Sequence, residues 1–520
     1  MMPPNSFIRD FKSMMKKVFL FLKKDNVKKF IGFVVFLCLG FRLFCDVTYL
    51  FRDISYGRRH MTGIKSESDI DMIYIGGSAA FVYWEPLKAW TDCGFTSYLL
   101  ATSSIPAESL VPYMKEAEKY QNPSLYVIGV RAFQYYSDDE QEEGVRRSSD
   151  VMDITSMARY DLLNRYFENR RIAENTDILS YYVDIIKYHT NTNNLASKTT
   201  WDLIHNKGAS PNKGWEWIDK YYYLDGPDGF QTEERAVLPE NATKILDDLL
   251  AHCKELDKDV LFVVCPYELT KEDYAKYNTI KDAVVQNGFQ FLNANDYYDE
   301  MGIDFSRDFY NKSHVNLFGA KKYTTFLENY IRDTYEMPDH RNDAKFAAWD
   351  MDAARFFQEE KKHSQTVNNL IQDYEKSVEI IKEMKNAENL SEWNALAIDD
   401  RFTLLIAGNG LSRWPDNISD QRVLEKWKLS EESKDFIRVV SNAEIKYKNA
   451  EGELSYIYTP SEDTEYTISL ESNVIDIIED KIPIEKNKVT IVVMDNATQN
   501  FMAKVTIECD EIGNIRMVQK

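Results

Sequence analysis

The stretch that decides the fold is DMIYIGGSAAF, residues 71–81. Its first six residues form a short, mostly apolar run that ends in glycine, which is typical of a buried strand. Similar runs occur at 94–100, 124–130, 259–266 and 289–296, and amphipathic helices are predicted at 108–120, 241–256, 271–288 and 316–333. Nearly continuous apolar strands that alternate with helices predict an α/β fold whose parallel sheet is covered on both faces.

Two further regions depart from this alternation. Residues 150–235 are helical in pattern and rich in tryptophan and tyrosine, so we expect an insertion that forms a lid or wall over the carboxyl edge of the sheet. The alternative is that these aromatic residues only build a core. Residues 352–393 predict a helical connector. Residues 400–520 have a period of two with turn-rich intervals, which predicts an all-β accessory domain, in the form of a sandwich.

The N-terminal region carries a charge opposite to that of the rest of the chain. Residues 1–29 contain eight basic and two acidic residues, whereas the whole chain has a net charge of −21. The apolar segment 30–51 follows, with only Arg42 and Asp46 as charges, and 22 helical residues are enough to cross a bilayer. A buried core helix would not explain the basic flank. A cleaved signal peptide is not expected either, because no A-x-A site follows the apolar segment. We therefore expect a single-pass membrane protein with a cytoplasmic basic arm and extracytoplasmic main domains.

The acidic composition and the cysteines exclude several classes of function. A pI near 4.9 gives no basic footprint for nucleic acid. The six cysteines lack metal-type spacing, and no P-loop or dinucleotide motif is present, so neither a metal nor a cofactor is predicted. A disulfide between Cys253 and Cys265 stays open, because sequence does not give connectivity.

A serine and a histidine are the candidate catalytic residues. Ser78 follows the first strand, and His314 stands just before the last helix of the α/β region, in DFYNKSHVNLFGA (308–320). Both positions fall at the carboxyl edge of a parallel sheet, where ligands bind. The two side chains can therefore meet as a nucleophile and its general base. The alternative for Ser78 is a simple helix cap.

These motifs resemble the SGNH/GDSL hydrolase superfamily, and more narrowly the DltD-like proteins of Gram-positive cell envelopes. The resemblance covers about residues 68–338. It implies a flavodoxin-like sheet with Ser78 as nucleophile and His314 as general base. It also implies that the protein acts together with a membrane-bound O-acyltransferase on the acyl groups of wall polysaccharide or teichoic acid. The function that it suggests is an esterase or O-acyltransferase.

One position departs from the family pattern. The family places an aspartate three residues before the histidine, but this chain has Asn311 there and its nearest acid, Asp308, six residues before. Three outcomes are open: a Ser–His dyad, recruitment of Asp308, or a much slowed or idle site that serves as a scaffold or glycan-binding partner. For the oxyanion we expect backbone N–H groups of Ser78 or Ala79, with Thr102 and Ser103.

Arg131 is the candidate substrate-binding residue. It follows the run 124–130 directly, so it emerges at the same edge of the sheet. A guanidinium there can hold a phosphate or carboxylate of an anionic glycopolymer. The alternative is a salt bridge to the acidic loop 138–143.

Overall fold

The structure, a computed structural model, describes residues 25–52, 55–204, 210–461, 464–477 and 480–520. Of the predicted basic arm, only residues 25–29 are among them.

The chain begins with an apolar helix, α1 (Asp25–Phe51). Its segment Val27–Phe51 has 25 residues, and its most apolar window has a mean hydropathy of 2.1 with none of that window buried against the rest of the chain. By length and composition this helix can cross a bilayer. The prediction of one such N-terminal helix is confirmed to that extent.

A five-stranded parallel sheet forms the centre of the molecule. Its strands are β1 (Met72–Gly76), β2 (Ser97–Ala101), β3 (Leu125–Gly129), β4 (Asp259–Val264) and β5 (Gln290–Asn293), in the order β2-β1-β3-β4-β5. Each strand coincides with a predicted apolar run to within three residues. Tyr74, Leu99, Val127 and Phe262 are fully buried, because helices cover both faces of the sheet. The predicted mixed α/β fold with a parallel sheet is confirmed.

Helices connect and flank these strands. In chain order up to residue 150 they are α2 (Tyr56–Gly63), α3 (Ser78–Phe81), α4 (Pro86–Cys93), α5 (Leu110–Ala117), α6 (Arg131–Gln134) and α7 (Glu142–Ser149), with a 3₁₀ helix at Ala107–Ser109. In the insertion they are α8 (Met157–Asn169), α9 (Leu179–Tyr182), α10 (Ile185–Tyr188), the 3₁₀ helix Thr192–Ala196 and α11 (Lys198–Ile204). After it come α12 (Glu240–Glu255), α13 (Lys271–Gln286), the 3₁₀ helix Ala294–Tyr297, α14 (Tyr298–Met301), the short hairpin β6 (Phe309–Asn311) and β7 (His314–Val315), and α15 (Leu317–Thr334).

The insertion divides into two parts with different neighbours. Helices α10 and α11 and the 3₁₀ helix between them contact α1. Residues 210–239 contain neither helix nor strand, and they run past the elements of the candidate site: Glu216 N–H donates to Phe81 O (3.1 Å) and Tyr222 N–H to Phe309 O (2.9 Å). The wall beside the sheet edge is thus this extended segment rather than the helices.

A long helix leads to the C-terminal region. After a 3₁₀ helix at Ala344–Phe346, α16 (Ala347–Lys385) spans 39 residues and packs on α4, and α17 (Leu390–Ala397) follows. Trp217 of the extended segment stacks on Phe356 and His363 of α16, at ring distances of 4.8 and 4.5 Å. The connector predicted at 352–393 therefore begins earlier and also packs on the α/β domain.

Two antiparallel sheets form the C-terminal region. Its elements are β8 (Phe402–Gly408), α18 (Ile418–Lys426), β9 (Phe436–Ser441), β10 (Glu444–Lys448), β11 (Ser455–Ser461), β12 (Thr464–Ser469), β13 (Val474–Ile477), β14 (Asp480–Pro483), β15 (Val489–Asp495), β16 (Phe501–Cys509) and β17 (Ile515–Gln519). The sheet orders are β10-β9-β8-β15-β16-β17 and β11-β12-β13-β14. Ile468 and Ile475 of the smaller sheet pack on Leu405 and Val492 of the larger one. The predicted β-sheet region is confirmed. Because α18 lies within it, the prediction of an all-β region was wrong.

Candidate active site

Ser78 lies where the strand order of the parallel sheet reverses. β1 ends at Gly76, Gly77 precedes α3, and Ser78 is the first residue of that helix. Both glycines have ordinary backbone angles, so the turn does not need left-handed φ values. A Cβ on Gly76 would come within 3.2 Å of the Ala80 Cβ. The first glycine therefore allows α3 to pack closely on the strand, and the serine side chain stays partly exposed.

His314 comes to Ser78 from the other end of the α/β domain. It is the first residue of β7, and its Nε2 lies 2.6 Å from Ser78 Oγ. Its Nδ1 lies 3.0 Å from Oδ1 of Asn311, the residue opposite it in the hairpin. The same Asn311 oxygen accepts a hydrogen bond from Ser313 N–H (2.9 Å). The oxygen therefore accepts the Nδ1 proton, which leaves Nε2 free to accept the proton of the Ser78 hydroxyl.

Asp308 does not reach the imidazole. Its side chain is fully buried, and its carboxylate accepts hydrogen bonds from Lys322 Nζ (2.6 Å) and Asp304 N–H (2.7 Å). Its backbone carbonyl accepts from Asn316 N–H (2.8 Å). Recruitment of Asp308, one of the three open outcomes, is thus contradicted, because the hairpin register gives the Nδ1 position to Asn311. Asp308 instead holds the start of the loop.

Arg131 contacts the same loop from the end of β3. Its guanidinium donates to Ser313 O (2.7 Å) and to the Tyr135 hydroxyl (2.9 Å), and it lies 4.1 Å from the ring centre of Tyr267. It is 8% exposed, and among the described residues no carboxylate forms an ion pair with it. The alternative of a bridge to the loop 138–143 is wrong: Asp139 pairs with Arg171. The site therefore holds a buried cation without a carboxylate.

The electrostatics of the site keep His314 neutral. Burial disfavours the charged ring, and the nearby Arg131 guanidinium repels it, so the pKa of His314 lies well below its ordinary value. A neutral imidazole at pH 7 can act as a general base. However, the imidazolium that forms during reaction is costly here, because an asparagine and an arginine surround it where a carboxylate would stabilise it.

Tyr83 holds the histidine loop on both sides of His314. Its hydroxyl lies within hydrogen-bond distance of Ser313 O (3.0 Å) and Pro266 O (2.8 Å), and it accepts from Val315 N–H (3.2 Å). Sequence reasoning missed this residue. Its only sequence signal is its place five residues after Ser78, which does not distinguish it from any other core tyrosine.

The predicted oxyanion donors differ in availability. Thr102 is buried, its N–H donates to Gly76 O (3.4 Å), and its hydroxyl donates to Arg147 O (3.4 Å). Both Thr102 donors point into the protein, so the structure does not support this role. Ala79 lies in the first turn of α3 and Ser103 is partly exposed. The roles of Ala79 and Ser103 stay predictions.

The six cysteines are free thiols. Cys253 and Cys265 are both buried and unbonded to each other, so the disulfide left open is not formed. Cys265 lies below the nucleophile turn, 3.1 Å from the Tyr74 hydroxyl and 3.4 Å from Ala79 O. Within the described residues, no group of three His, Cys, Asp or Glu is placed to hold a metal ion.

The C-terminal region touches the loop that carries His314. Lys312 Nζ lies 3.0 Å from Asp480 of β14, and the Asn500 side chain bonds to the backbone of Tyr221 and Tyr223 (3.3 and 2.9 Å). The smaller β-sheet therefore contacts the His314 loop through this ion pair, and the loop between β15 and β16 of the larger sheet contacts the extended segment.

No protein-family model matches this chain, and no curated protein matches it either. The strand order and the Ser78–His314 pair are therefore the basis of the functional proposal.

Proposed function

We propose that the chain is a serine esterase or acyltransferase of the SGNH type. The hydrogen bond between Ser78 Oγ and His314 Nε2, at the carboxyl edge of a parallel sheet, carries this proposal. The strand order 2-1-3-4-5 supports it, because this is the flavodoxin-like order, whose ligand crevice lies between strands 1 and 3. Ser78 follows β1, and Arg131 follows β3.

More particularly, the chain is a DltD-like, membrane-anchored protein that acts on acyl groups of cell-envelope polysaccharide or teichoic acid. Helix α1 is the anchor, Lys28 and Lys29 stay on the cytoplasmic side, and the residues after α1 lie outside. A membrane-bound O-acyltransferase is its proposed partner. Arg131, with Tyr135 and Ser313, favours an anionic group on the polymer, because each terminal guanidinium nitrogen has a second N–H to donate.

The proposed reaction passes through an acyl-enzyme. His314 Nε2 takes the Ser78 proton as Oγ attacks the ester carbonyl, and a backbone N–H such as that of Ala79 stabilises the oxyanion. Collapse of the tetrahedral intermediate breaks the ester C–O bond, and His314 returns the proton to the leaving alcohol. Water or a sugar hydroxyl then loses its proton to His314 and attacks the acyl carbon to form a second tetrahedral intermediate. Its collapse breaks the bond between the acyl carbon and Ser78 Oγ, and His314 returns the proton to Oγ, which regenerates Ser78.

Asn311 slows this reaction without abolishing it. In a serine protease, the equivalent Asp-to-Asn change lowers turnover about 10⁴-fold, largely because the histidine adopts the wrong tautomer. In this chain the Asn311 oxygen accepts the Nδ1 proton, so the productive tautomer is retained. What is lost is the charge that would stabilise the imidazolium, and the expected penalty is therefore smaller than about 10⁴-fold.

The second candidate function is a catalytically idle scaffold or glycan-binding partner of the acyltransferase. Asn311 and Arg131 favour it, because the neutral Asn311 does not offset the charge that His314 gains and the cationic Arg131 repels that charge. In this alternative, the C-terminal region binds the polysaccharide, and the ion pair between Lys312 and Asp480 joins that region to the His314 loop.

Labelling with a fluorophosphonate probe separates the two candidates. We expect purified full-length protein in detergent to form an adduct on Ser78, and Ser78→Ala and His314→Ala to abolish it. Ser124→Ala is the matched control, because Ser124 is exposed and precedes β3 at the opposite edge of the sheet. Absence of any adduct on protein with a cooperative thermal transition would favour the scaffold. Mass analysis of wall polymers from cells with and without Ser78→Ala then identifies the acyl group.

A further inference from the structure

The end of α1 is locked into the insertion by buried ion pairs. The Arg52 guanidinium is 1% exposed; it binds the Asp184 carboxylate and donates to Met152 O (2.5 Å). Asp184 also binds Arg159, which is fully buried. Breaking such a network is strongly unfavourable, because it leaves buried charges without partners. The helix and the insertion are therefore held together as one body.

The last carbonyl groups of α1 are bound as well. Asn194 of the 3₁₀ helix donates to Arg52 O (2.8 Å), and Arg58 of α2 donates to Tyr49 O (2.7 Å) and Arg52 O (2.9 Å). A helix end whose carbonyls are satisfied by neighbouring side chains has a defined exit direction. The insertion thus stays beside the point where α1 leaves the bilayer.

Three apolar side chains of the insertion are exposed at this point. Ile186 of α10, Leu195 of the 3₁₀ helix and Trp201 of α11 are 38%, 40% and 46% exposed. All three elements contact α1. The indole N–H of Trp201 donates to Leu195 O (2.9 Å), so two of the residues are adjacent. We name these three residues the apolar collar.

The length of α1 places the collar at the level of the lipid headgroups. Val27–Phe51 spans 25 residues, or about 37 Å at 1.5 Å per residue, whereas the hydrocarbon core is about 30 Å thick. The last turn of α1 and the residues after it therefore lie in the interfacial layer, whereas the exposed pair Arg42–Asp46 (2.9 Å) lies one to two turns deeper. Tryptophan is enriched at this depth, because its ring is apolar and its N–H is polar.

From this geometry we infer that the apolar collar inserts into the interfacial region of the leaflet through which α1 exits, and that the bilayer is its partner. The inference rests on the proposed membrane anchor. Insertion of three side chains beside the end of α1 fixes the tilt of the α/β domain on the membrane. The orientation of the site toward the envelope polymer is then set by the membrane, and not by a flexible tether.

Depth-dependent quenching of a fluorescent label tests this inference in the full-length protein. The background is Cys38→Ser, Cys45→Ser and Cys93→Ser, since the other three cysteines are buried. An environment-sensitive fluorophore is attached to Leu195→Cys or Ile186→Cys, in nanodiscs of phosphatidylcholine and phosphatidylglycerol. We expect blue-shifted emission that is quenched by lipid with a shallow spin label on carbon 5.

Two control positions distinguish the possible failures. Ile512→Cys lies in the C-terminal region at 72% exposure, and we expect water-like, unquenched emission there. Leu39→Cys lies within α1 at 65% exposure, and a deep spin label should quench it. Unquenched Leu39 would overturn the anchor itself. If the label at Leu39 is quenched but labels at Leu195 and Ile186 give water-like emission, the collar inference is wrong and the anchor stands. A blue shift at Leu195 or Ile186 without lipid quenching would also overturn the collar inference, because it indicates contact with a second copy of the chain.

Discussion

Two of the regions that bury arginine side chains differ in whether a carboxylate pairs with the charge. Where α1 meets the insertion, Arg52 and Arg159 share the carboxylate of Asp184. At the candidate active site, Arg131 is 8% exposed, and the described residues offer it carbonyl, hydroxyl and ring contacts but no carboxylate. A buried charge with a carboxylate partner holds two elements together, whereas a buried charge without one still acts electrostatically on neighbouring groups such as His314. The first region is therefore held together by buried ion pairs, whereas the second keeps a cation without a paired carboxylate beside the Ser78–His314 pair.

The largest effect is expected from removing the shared carboxylate. Asp184→Asn leaves Arg52 buried without a counter-charge and leaves Arg159 with Asp150 (3.2 Å) as its remaining acidic partner. Breaking such a buried pair typically costs about 3–5 kcal/mol of unfolding free energy. Thermal unfolding of the purified protein measures the loss. The control is Asp139→Asn, which removes the exposed pair with Arg171 and should change stability by less than about 1 kcal/mol. Equal losses in the two variants would contradict the contrast between the two regions.

Giving the active site a carboxylate is the next test. Asn311→Asp keeps the acceptor for His314 Nδ1 and adds the missing negative charge. We expect fluorophosphonate labelling of Ser78 to become about 10- to 100-fold faster, less than the 10⁴ of the protease case because the tautomer is already correct. The control Asn175→Asp adds the same charge at an exposed position of the insertion, so the labelling rate should stay unchanged. A slower Asn311→Asp variant would count against His314 as the base.

Removing the unpaired cation should shift the pH dependence of labelling. Burial and the Arg131 charge lower the pKa of His314, so the imidazole stays neutral at pH values where an ordinary histidine is protonated. Arg131→Gln removes the repulsion and raises that pKa, and the loss of reactivity on acidification then begins at a higher pH. The labelling rate is measured from pH 4 to pH 8. An unchanged acid limb would mean that Arg131 only positions the loop through Ser313 O.

The smallest effect is expected at the contact with the C-terminal region. Lys312 and Asp480 are about one-third and two-fifths exposed, so their ion pair is screened by water. Asp480→Asn should change stability by less than about 1 kcal/mol and labelling by less than about twofold. A double-mutant cycle with Lys312→Met measures the coupling. A large coupling energy would show that the β-sheet positions the His314 loop.

Part of the candidate site follows from local pattern, and part does not. Ser78 and His314 were placed at one edge because parallel strands bring their carboxyl ends together, and the 2.6 Å contact agrees with that placement. The choice between Asn311 and Asp308 depends on the β6–β7 register, which sets Asn311 opposite His314. A three-residue strand has too few side chains to reveal its register in sequence. The contacts of Tyr83 and the orientation of Thr102 could not be predicted from sequence either, because both depend on packing between distant segments.

By itself the sequence determined the strands of the parallel sheet, the membrane-length helix and the two candidate catalytic residues, since hydrophobic periodicity and strand direction are local properties. Only the tertiary structure decided which charges are paired. Arg52 meets Asp184 across 132 residues, whereas Arg131 meets Ser313 across 182 residues and finds a carbonyl oxygen. No local pattern encodes such meetings, because they result from how whole elements pack. The same packing places Ile186, Leu195 and Trp201 beside the end of α1.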